Sequence, residues 1–208
     1  IGTVWTKLYT ALNTCNITIS ELPSTNLSDA DNTSYEGQAK FLRSLYLWLI
    51  VENWGNVVLY TTPVSGVVTE AHRSSVDDFY KVIMSDLDTA IKDLPSGKST
   101  DGTITQDVAM AFKARMCLTR ASETNDASLY VKADSLAEAV INSGHYKLYD
   151  KYNSVWDVSN EDGGNNSEVI YYVNYTSTDV YNGDFSVASN VGNAGIVDFV
   201  MKYDKQAG

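Results

Sequence analysis

The residues best suited to hold a ligand lie near the C-terminal end of the sequence. They combine aromatic rings with amide and carboxylate groups: Tyr181, Asn182, Asp184 and Phe185, with Tyr175 shortly before them. Flat rings stack on the C–H faces of pyranose sugars, and amides and carboxylates hydrogen-bond to sugar hydroxyls. The surrounding stretch, 177–193, is rich in Gly, Asn, Asp and Ser, which predicts a long loop. These five residues are therefore candidates for sugar recognition.

Bond-breaking chemistry has weaker support in the sequence. A glycosidase needs two carboxylates about 5 to 10 Å apart in a cleft. Glu161 and Glu168 are the loop pair that this chain offers for that task. A carbohydrate-active enzyme on a helical scaffold is thus kept as an alternative function, but we predict no catalytic residue and expect a protein that is not an enzyme.

Metal-binding patterns are incomplete. The stretch 157–168 imitates a twelve-residue calcium loop, with Asp157 first and Glu168 last, but the sharp-turn glycine of the sixth position is Asp162. The two histidines, His72 and His145, do not lie near a cysteine cluster of the kind that binds zinc. We predict neither a metal nor a cofactor.

Composition narrows the class of protein. The chain has 208 residues, 44% of them hydrophobic, which is enough for a substantial core. Its formal net charge of −11 would repel a phosphate backbone, so a nucleic-acid partner is not expected. The longest uncharged apolar run, 45–51, is far shorter than the roughly 20 residues that span a bilayer. Cys15 and Cys117 fall inside predicted helices, which favours free, buried cysteines.

Helical periodicity dominates the first two thirds of the chain. Apolar residues recur at three- and four-residue steps, which predicts amphipathic helices. The second helix is expected to begin at a capping box of Thr33 and Glu36, and its apolar run 45–51 should make it the most buried helix. The five predicted helices run from Trp5 to before Pro23, from Thr33 to about Asn53, from Ser74 or Ser75 to Leu94, from near Thr105 through Leu118, and from Asp126 to Gly144.

The pattern changes after Tyr146. A run of β-branched and aromatic residues at 168–173 predicts one short strand. The predicted fold class is mostly α: a tetratricopeptide-like α-α superhelix with long loops and little β structure. Residues 1–150 would form the helical scaffold, and residues 151–208 a loop-rich segment of the same domain. Trp5, Trp48 and Trp156 are expected in the core, and Trp54 is expected to pack at a helix exit.

Several blocks of the sequence, taken in order, resemble the SusD/RagB family of outer-membrane nutrient-binding lipoproteins. WTKLYTALNTCN is similar to the family's Trp-led first helix, and YEGQAKFLRSLYLWLIVENWGNVVLY to its longest signature. HRSSVDDFYKVIMSDLDTAIKDLP, GTITQDVAMAFKARMCLTRA and the block from YVKADSLAEAVINSGHYKL to NSEVIYYVNY follow in family order. The resemblance departs from the family pattern at Thr103, at Val58 and at Gly37, which interrupts the start of the second helix.

The resemblance implies a function as well as a SusD-like fold. It implies a cell-surface protein of a Gram-negative bacterium that binds a glycan or oligosaccharide, or a peptide, without catalysis. The ligand would be delivered to a SusC-like TonB-dependent transporter, and a lipid anchor outside this chain would attach the protein to the outer membrane. We expect the chain to be an internal fragment of such a protein. A tetratricopeptide-like module that binds another protein is the remaining alternative.

Overall fold

Five α-helices make up most of the structure, a computed structural model that describes residues 2–160 and 165–172. Short 3-10 helices lie at Leu22–Ser24, Tyr152–Trp156 and Val158–Asn160. The mostly helical, tetratricopeptide-like prediction is confirmed. The α-helices are α1 (Gly2–Glu21), α2 (Asp29–Trp54), α3 (Val76–Asp93), α4 (Gln106–Thr124) and α5 (Ala127–Asn142).

The start of α2 corrects one prediction. The helix begins four residues before the expected Thr33, because the Ser28 hydroxyl accepts a hydrogen bond from the Asp31 backbone N–H at 3.1 Å. Asp29 and Asp31 then place negative charge in the first turn, where it stabilises the helix dipole. Thr33 and Glu36 therefore lie inside the helix and do not cap it.

Other helix ends follow the expected chemistry. Ser75 and Asp78 form a reciprocal capping box at the start of α3. The Asp126 carboxylate accepts a hydrogen bond from the Ser128 backbone N–H at 2.9 Å at the start of α5. Gly144 follows α5 with φ 72°, a left-handed conformation that glycine adopts without a steric penalty. Local sequence thus sets the length of α3 and α5.

Consecutive helices pack against each other along the chain, and α2 packs between α1 and α3. No residue from 36 to 51 is exposed, so the apolar run 45–51 is covered on all sides. The prediction that α2 is the most buried helix is wrong over its full length, because its two ends are exposed and α4 has the same number of buried residues, eight, in a shorter helix. Gly37 has a packing role, since a Cβ at this position would stand 3.0 Å from the Leu94 side chain. The departure from the family pattern at Gly37 therefore permits a close approach between α2 and the chain after α3.

A buried ion pair connects α1, α2 and α3. The Arg43 guanidinium donates two hydrogen bonds to the Asp86 carboxylate, at 2.7 and 2.8 Å. It also donates to the Asn16 side-chain oxygen and to the Thr61 carbonyl, each at 3.1 Å. Because both charges are buried, the pair is stable only while every partner stays in place. The network fixes the extended segment after α2 against the helices.

Among the residues after α5 that the structure describes, 143–160 and 165–172, none forms a strand, and the last of them return to the helices. The predicted strand at 168–173 is wrong over the part of it that the structure describes, since residues 168–172 are irregular. Tyr171 instead packs edge-on against Phe41 of α2 and Phe112 of α4, with ring centroids 5.8 and 5.6 Å away.

The division of the chain at residue 150 stays a prediction. Cys15 and Cys117 are buried and free, and each described helix is too short or too polar to cross a lipid bilayer.

Candidate functional site

The predicted sugar-binding residues lie outside the described part of the chain. This holds for Tyr175 and for the cluster of Tyr181, Asn182, Asp184 and Phe185. Their assignment as a glycan-binding site therefore stays a prediction. The described residues nevertheless contain two aromatic surfaces that can be compared with that chemistry.

The loop-rich segment between α5 and Tyr171 is held by hydrogen bonds between its two ends. The Lys147 backbone N–H donates to the Ser167 carbonyl at 3.0 Å, and the Ser167 hydroxyl donates to the Lys147 carbonyl at 2.8 Å. The Glu168 carboxylate accepts a hydrogen bond from the Tyr149 backbone N–H at 2.6 Å. Glu168, the candidate for glycoside hydrolysis, is thus engaged in holding the loop, and Glu161 lies outside the described residues.

An exposed aromatic pair stands on this segment. Tyr152 and Trp156 lie at the two ends of one 3-10 helix, with ring centroids 6.2 Å apart and planes at 68°. Tyr152 is 79% exposed and Trp156 is 71% exposed. The prediction that Trp156 lies in the core is wrong, because the turn that carries it is held by the Asn166 and Asn160 amides and leaves the indole ring in water. We call Tyr152 and Trp156 the aromatic pair.

The backbone under the aromatic pair is fixed by a buried amide. Asn166 is 3% exposed, and its side-chain nitrogen donates to the Val155 carbonyl at 3.1 Å and to the Asn160 carbonyl at 3.2 Å. The Asn160 side chain donates in turn to the Ser154 carbonyl at 2.8 Å. The Ser154 carbonyl also accepts from the Asp157 backbone N–H at 3.4 Å. The backbone on both sides of Trp156 is thus held by side-chain amides, and the two rings project from an ordered turn.

A second aromatic surface, the α1 groove, is lined by Trp5, Tyr9 and Asn13 of α1 with Tyr60 and Val64 of the segment after α2. The three α1 residues are spaced four apart, so they lie on one face of the helix. Trp5 packs on Tyr9 with ring centroids 4.6 Å apart, and Tyr9 packs edge-on against Tyr60 at 6.1 Å. The groove has a volume of about 410 Å³.

Two polar side chains of the α1 groove, Tyr9 and Asn13, already bind backbone groups. The Tyr9 hydroxyl donates to the Val58 carbonyl at 2.7 Å. The Asn13 side chain donates to the Val64 carbonyl at 3.2 Å and accepts from the Val64 N–H at 2.8 Å. Burial, and to a smaller extent the nearby Tyr60, together raise the pKa of Tyr9 to about 12. The groove thus offers apolar ring surface, but the Tyr9 hydroxyl and the Asn13 amide are used to hold the segment after α2.

Titratable groups elsewhere hold the structure together. His145 Nδ1 lies 2.7 Å from Asp107 Oδ2, and Asp107 also accepts from the Gly97 N–H at 3.3 Å. The Asp157 carboxylate accepts from the backbone N–H and the hydroxyl of Ser159, which lowers the pKa of Asp157. Within residues 2–160 and 165–172, no group of three or more histidine, cysteine or acidic residues is arranged to hold a metal ion.

Comparison with known protein families identifies the scaffold. Residues 1–118 match the model of a family described as SusD-like, starch-binding and associating with the outer membrane. This chain belongs to the SusD-like family. The match covers α1 to α3 and most of α4, which is the part of the chain that carries the Arg43–Asp86 pair and the α1 groove.

Related SusD-like proteins are considerably longer than this chain. A SusD-like protein of Formosa agariphila is 23% identical over 177 residues, which are 84% of this chain and 32% of that protein. The crystal structure of a SusD-like protein from Bacteroides fragilis is 29% identical with a TM-score of 0.71, covering 86% of this chain and 35% of its own. A surface glycan-binding protein A from Bacteroides fluxus is 25% identical with a TM-score of 0.73, covering 84% and 36%. The chain spans about a third of the length of these proteins.

Proposed function

We propose that this SusD-like chain takes part in capturing nutrient glycan at the bacterial cell surface without chemically altering it. The observation that carries the proposal is the match of residues 1–118 to a family described as starch-binding and associated with the outer membrane. The similarity in fold to a surface glycan-binding protein supports it. A binding role also fits Glu168, whose carboxylate is engaged with the loop backbone.

Delivery to a transporter is the second part of the proposal. The captured oligosaccharide would pass to a SusC-like TonB-dependent transporter in the outer membrane of a Gram-negative bacterium, with a lipid anchor outside this chain holding the protein at the surface. This part rests on the resemblance of the sequence blocks to the SusD/RagB family. A peptide is an alternative ligand under the same mechanism.

The glycan contacts are proposed for the loop-rich part of the chain. Tyr175, Tyr181, Asn182, Asp184 and Phe185 supply ring faces together with amide and carboxylate groups. The α1 groove is less suited to this role, because the polar groups of Tyr9 and Asn13 already bind backbone.

Affinity electrophoresis tests the proposed function. The purified chain is run in native gels that contain amylopectin, laminarin, xyloglucan or xylan, next to a gel without polysaccharide. Retardation in at least one gel, with no new reducing ends after incubation, supports capture without catalysis. New reducing ends would favour the carbohydrate-active enzyme, and free migration in all four gels would favour a protein-binding module.

The predicted loop cluster has its own test. We expect Tyr181→Ala to weaken binding of the retarding polysaccharide by about 1 to 3 kcal/mol, as is typical for the loss of an aromatic anchor. Tyr130→Ala, which removes a partly exposed tyrosine from α5, is the matched control and should leave binding unchanged. Equal retardation of both variants would remove Tyr181 from the site.

A further inference from the structure

We infer that the aromatic pair, Tyr152 and Trp156, is a stacking platform for a pyranose ring of the glycan. This inference rests on the proposed function and adds a specific contact surface to it. The platform lies on described residues and is distinct from the predicted cluster around Tyr181.

Exposure is the first observation that supports a ligand at this place. The chain has four tryptophans, and Trp5, Trp48 and Trp54 are each partly buried. Trp156 stands apart from them, and the neighbouring Tyr152 is exposed to a similar extent. Leaving a large ring in water forgoes roughly 1.5 to 3 kcal/mol of hydrophobic stabilisation per side chain. Two rings left in water side by side therefore offer apolar ring surface to a ligand.

The geometry of the two rings fits a sugar. They meet edge to face, with planes at 68°, so the two faces are not stacked on each other. An exposed ring face can accept the C–H groups of a pyranose, since the face of an aromatic ring is electron-rich. The exposed side chains of Asp150, Lys151 and Asn153 are neighbours in the chain and supply hydrogen-bonding groups for hydroxyls.

Rigidity is the second observation. A flexible platform would lose side-chain and loop freedom on binding, and that loss would reduce affinity. Here the Asn166 side chain fixes the Val155 and Asn160 carbonyls, and the Ser154 N–H donates to the Lys151 carbonyl at 3.0 Å. The rings are therefore presented by an ordered turn before any ligand arrives.

A glycan fits this surface better than a protein partner does. A stable protein interface buries about 800 Å² on each side and has a continuous apolar centre. The aromatic pair consists of two rings, and its neighbours in the chain include the exposed polar residues Lys151, Asn153 and Asp157. This alternation of ring and polar group matches the alternation of C–H faces and hydroxyls on a sugar.

Acrylamide quenching of tryptophan fluorescence measures contact at Trp156 directly. Because Trp156 is the exposed tryptophan, it should dominate quenching by this neutral molecule. The probe is a mixture of oligosaccharides cut from whichever of the four polysaccharides retards the chain most strongly. At saturating probe we expect the quenching constant of the wild-type chain to fall at least about twofold. In Trp156→Phe the constant should be low from the start and should not fall further.

Affinity of the variants completes the test. We expect Trp156→Ala and Tyr152→Ala each to weaken binding about tenfold, as for the loss of an aromatic contact in a binding site. Tyr130→Ala is the control of the same residue type, and circular dichroism checks that each variant is folded.

The possible failures can be told apart. If the wild-type chain is retarded and Trp156→Ala binds the glycan with the same affinity, the platform is overturned and the proposed function stays intact. Free migration of the wild-type chain in all gels would overturn both. The chain could also associate with itself in a concentration-dependent way. If Trp156→Ala abolished this association without changing glycan affinity, the pair would be assigned to protein contact and the platform would be overturned.

Discussion

The α1 groove and the aromatic pair use the same kinds of side chain in opposite ways. In the groove, Trp5, Tyr9 and Tyr60 pack on one another, and the Tyr9 hydroxyl binds the Val58 carbonyl. In the aromatic pair, both rings are largely exposed and their backbone is held by other residues. The comparison shows that the rings stay exposed where other residues hold the backbone that carries them, and are partly buried where they themselves hold the structure.

The two regions also differ in the interactions that hold their backbone in place. The segment that lines the groove is tied to three helices through Arg43, Asp86 and Asn16, a buried network that includes two charges. The turn under the aromatic pair depends on neutral amide bonds from Asn166 and Asn160. Substitutions near the groove should therefore alter stability, and substitutions in the aromatic pair should alter binding.

The largest expected effect is a loss of stability when the buried Arg43–Asp86 ion pair near the groove is broken. Asp86→Ala leaves the Arg43 charge buried without its carboxylate, and we expect a loss of about 3 to 5 kcal/mol in the free energy of unfolding. Urea denaturation followed by circular dichroism measures it. Asp134→Ala, at an exposed helical position on α5, should stay within about 0.5 kcal/mol of the wild type. A similar small change for Asp86→Ala would show that the network does not hold the helices together.

A smaller effect is expected from one hydroxyl in the groove. Tyr9→Phe removes the hydrogen bond to the Val58 carbonyl and keeps the ring. We expect a loss of about 0.5 to 1.5 kcal/mol in the free energy of unfolding, the usual net value of such a bond. Glycan retardation should not change. If Tyr9→Phe lost retardation while its stability stayed unchanged, the α1 groove would have a role in binding, which is the role assigned to the aromatic pair.

The free energy of unfolding of Tyr9→Phe should also depend on pH differently from that of the wild type. The pKa of Tyr9 is about 12 in the folded protein, against an ordinary value of 10.0. The unfolded chain therefore releases this proton first, and the stability linked to it is complete below pH 10 and is lost as pH rises toward 12. Tyr80, whose pKa is also raised by burial and by its bond to Glu52, adds to the decline. We expect the free energy of unfolding to fall less steeply above pH 10 in Tyr9→Phe than in the wild type, and equal slopes would contradict the buried state of Tyr9.

The smallest effect on stability is expected in the aromatic pair. Trp156→Ala removes a ring that is mostly in water, so the free energy of unfolding should change by no more than about 0.5 kcal/mol. Thermal and urea unfolding of this variant are compared with those of the wild type. A loss of several kcal/mol would mean that the ring packs against other parts of the protein in solution.

Much of the helical scaffold could be predicted from the sequence, because local chemistry determines it. Apolar stripes gave all five helices, and the caps at Ser75 and Asp126 lie where the sequence places them. The start of α2 was missed because two capping patterns follow each other, and Ser28 with Asp31 acts first. The predicted strand failed over 168–172 because β propensity depends on a partner strand, and Tyr171 packs on Phe41 and Phe112 instead.

The buried network and the aromatic pair were harder to predict than the helices, because each depends on contacts between distant residues. Arg43 and Asp86 are 43 positions apart, and charged residues on helices are usually exposed. The one available signal was the position of Arg43 inside an apolar stretch of α2. The exposure of Trp156 had no local signal, because burial of a single ring outside a periodic stripe is decided by the packing of the whole segment. The cluster around Tyr181 stays a prediction.

Parallel affinity electrophoresis of Trp156→Ala and Tyr9→Phe tests the central claim most directly. Both variants are run with the wild-type chain in the polysaccharide gel that gives the strongest retardation. The account predicts that Trp156→Ala loses retardation at wild-type stability, while Tyr9→Phe stays retarded at lower stability. If the Trp156→Ala variant is still retarded and the Tyr9→Phe variant migrates freely, the account is contradicted. Glycan binding would then be placed in the α1 groove.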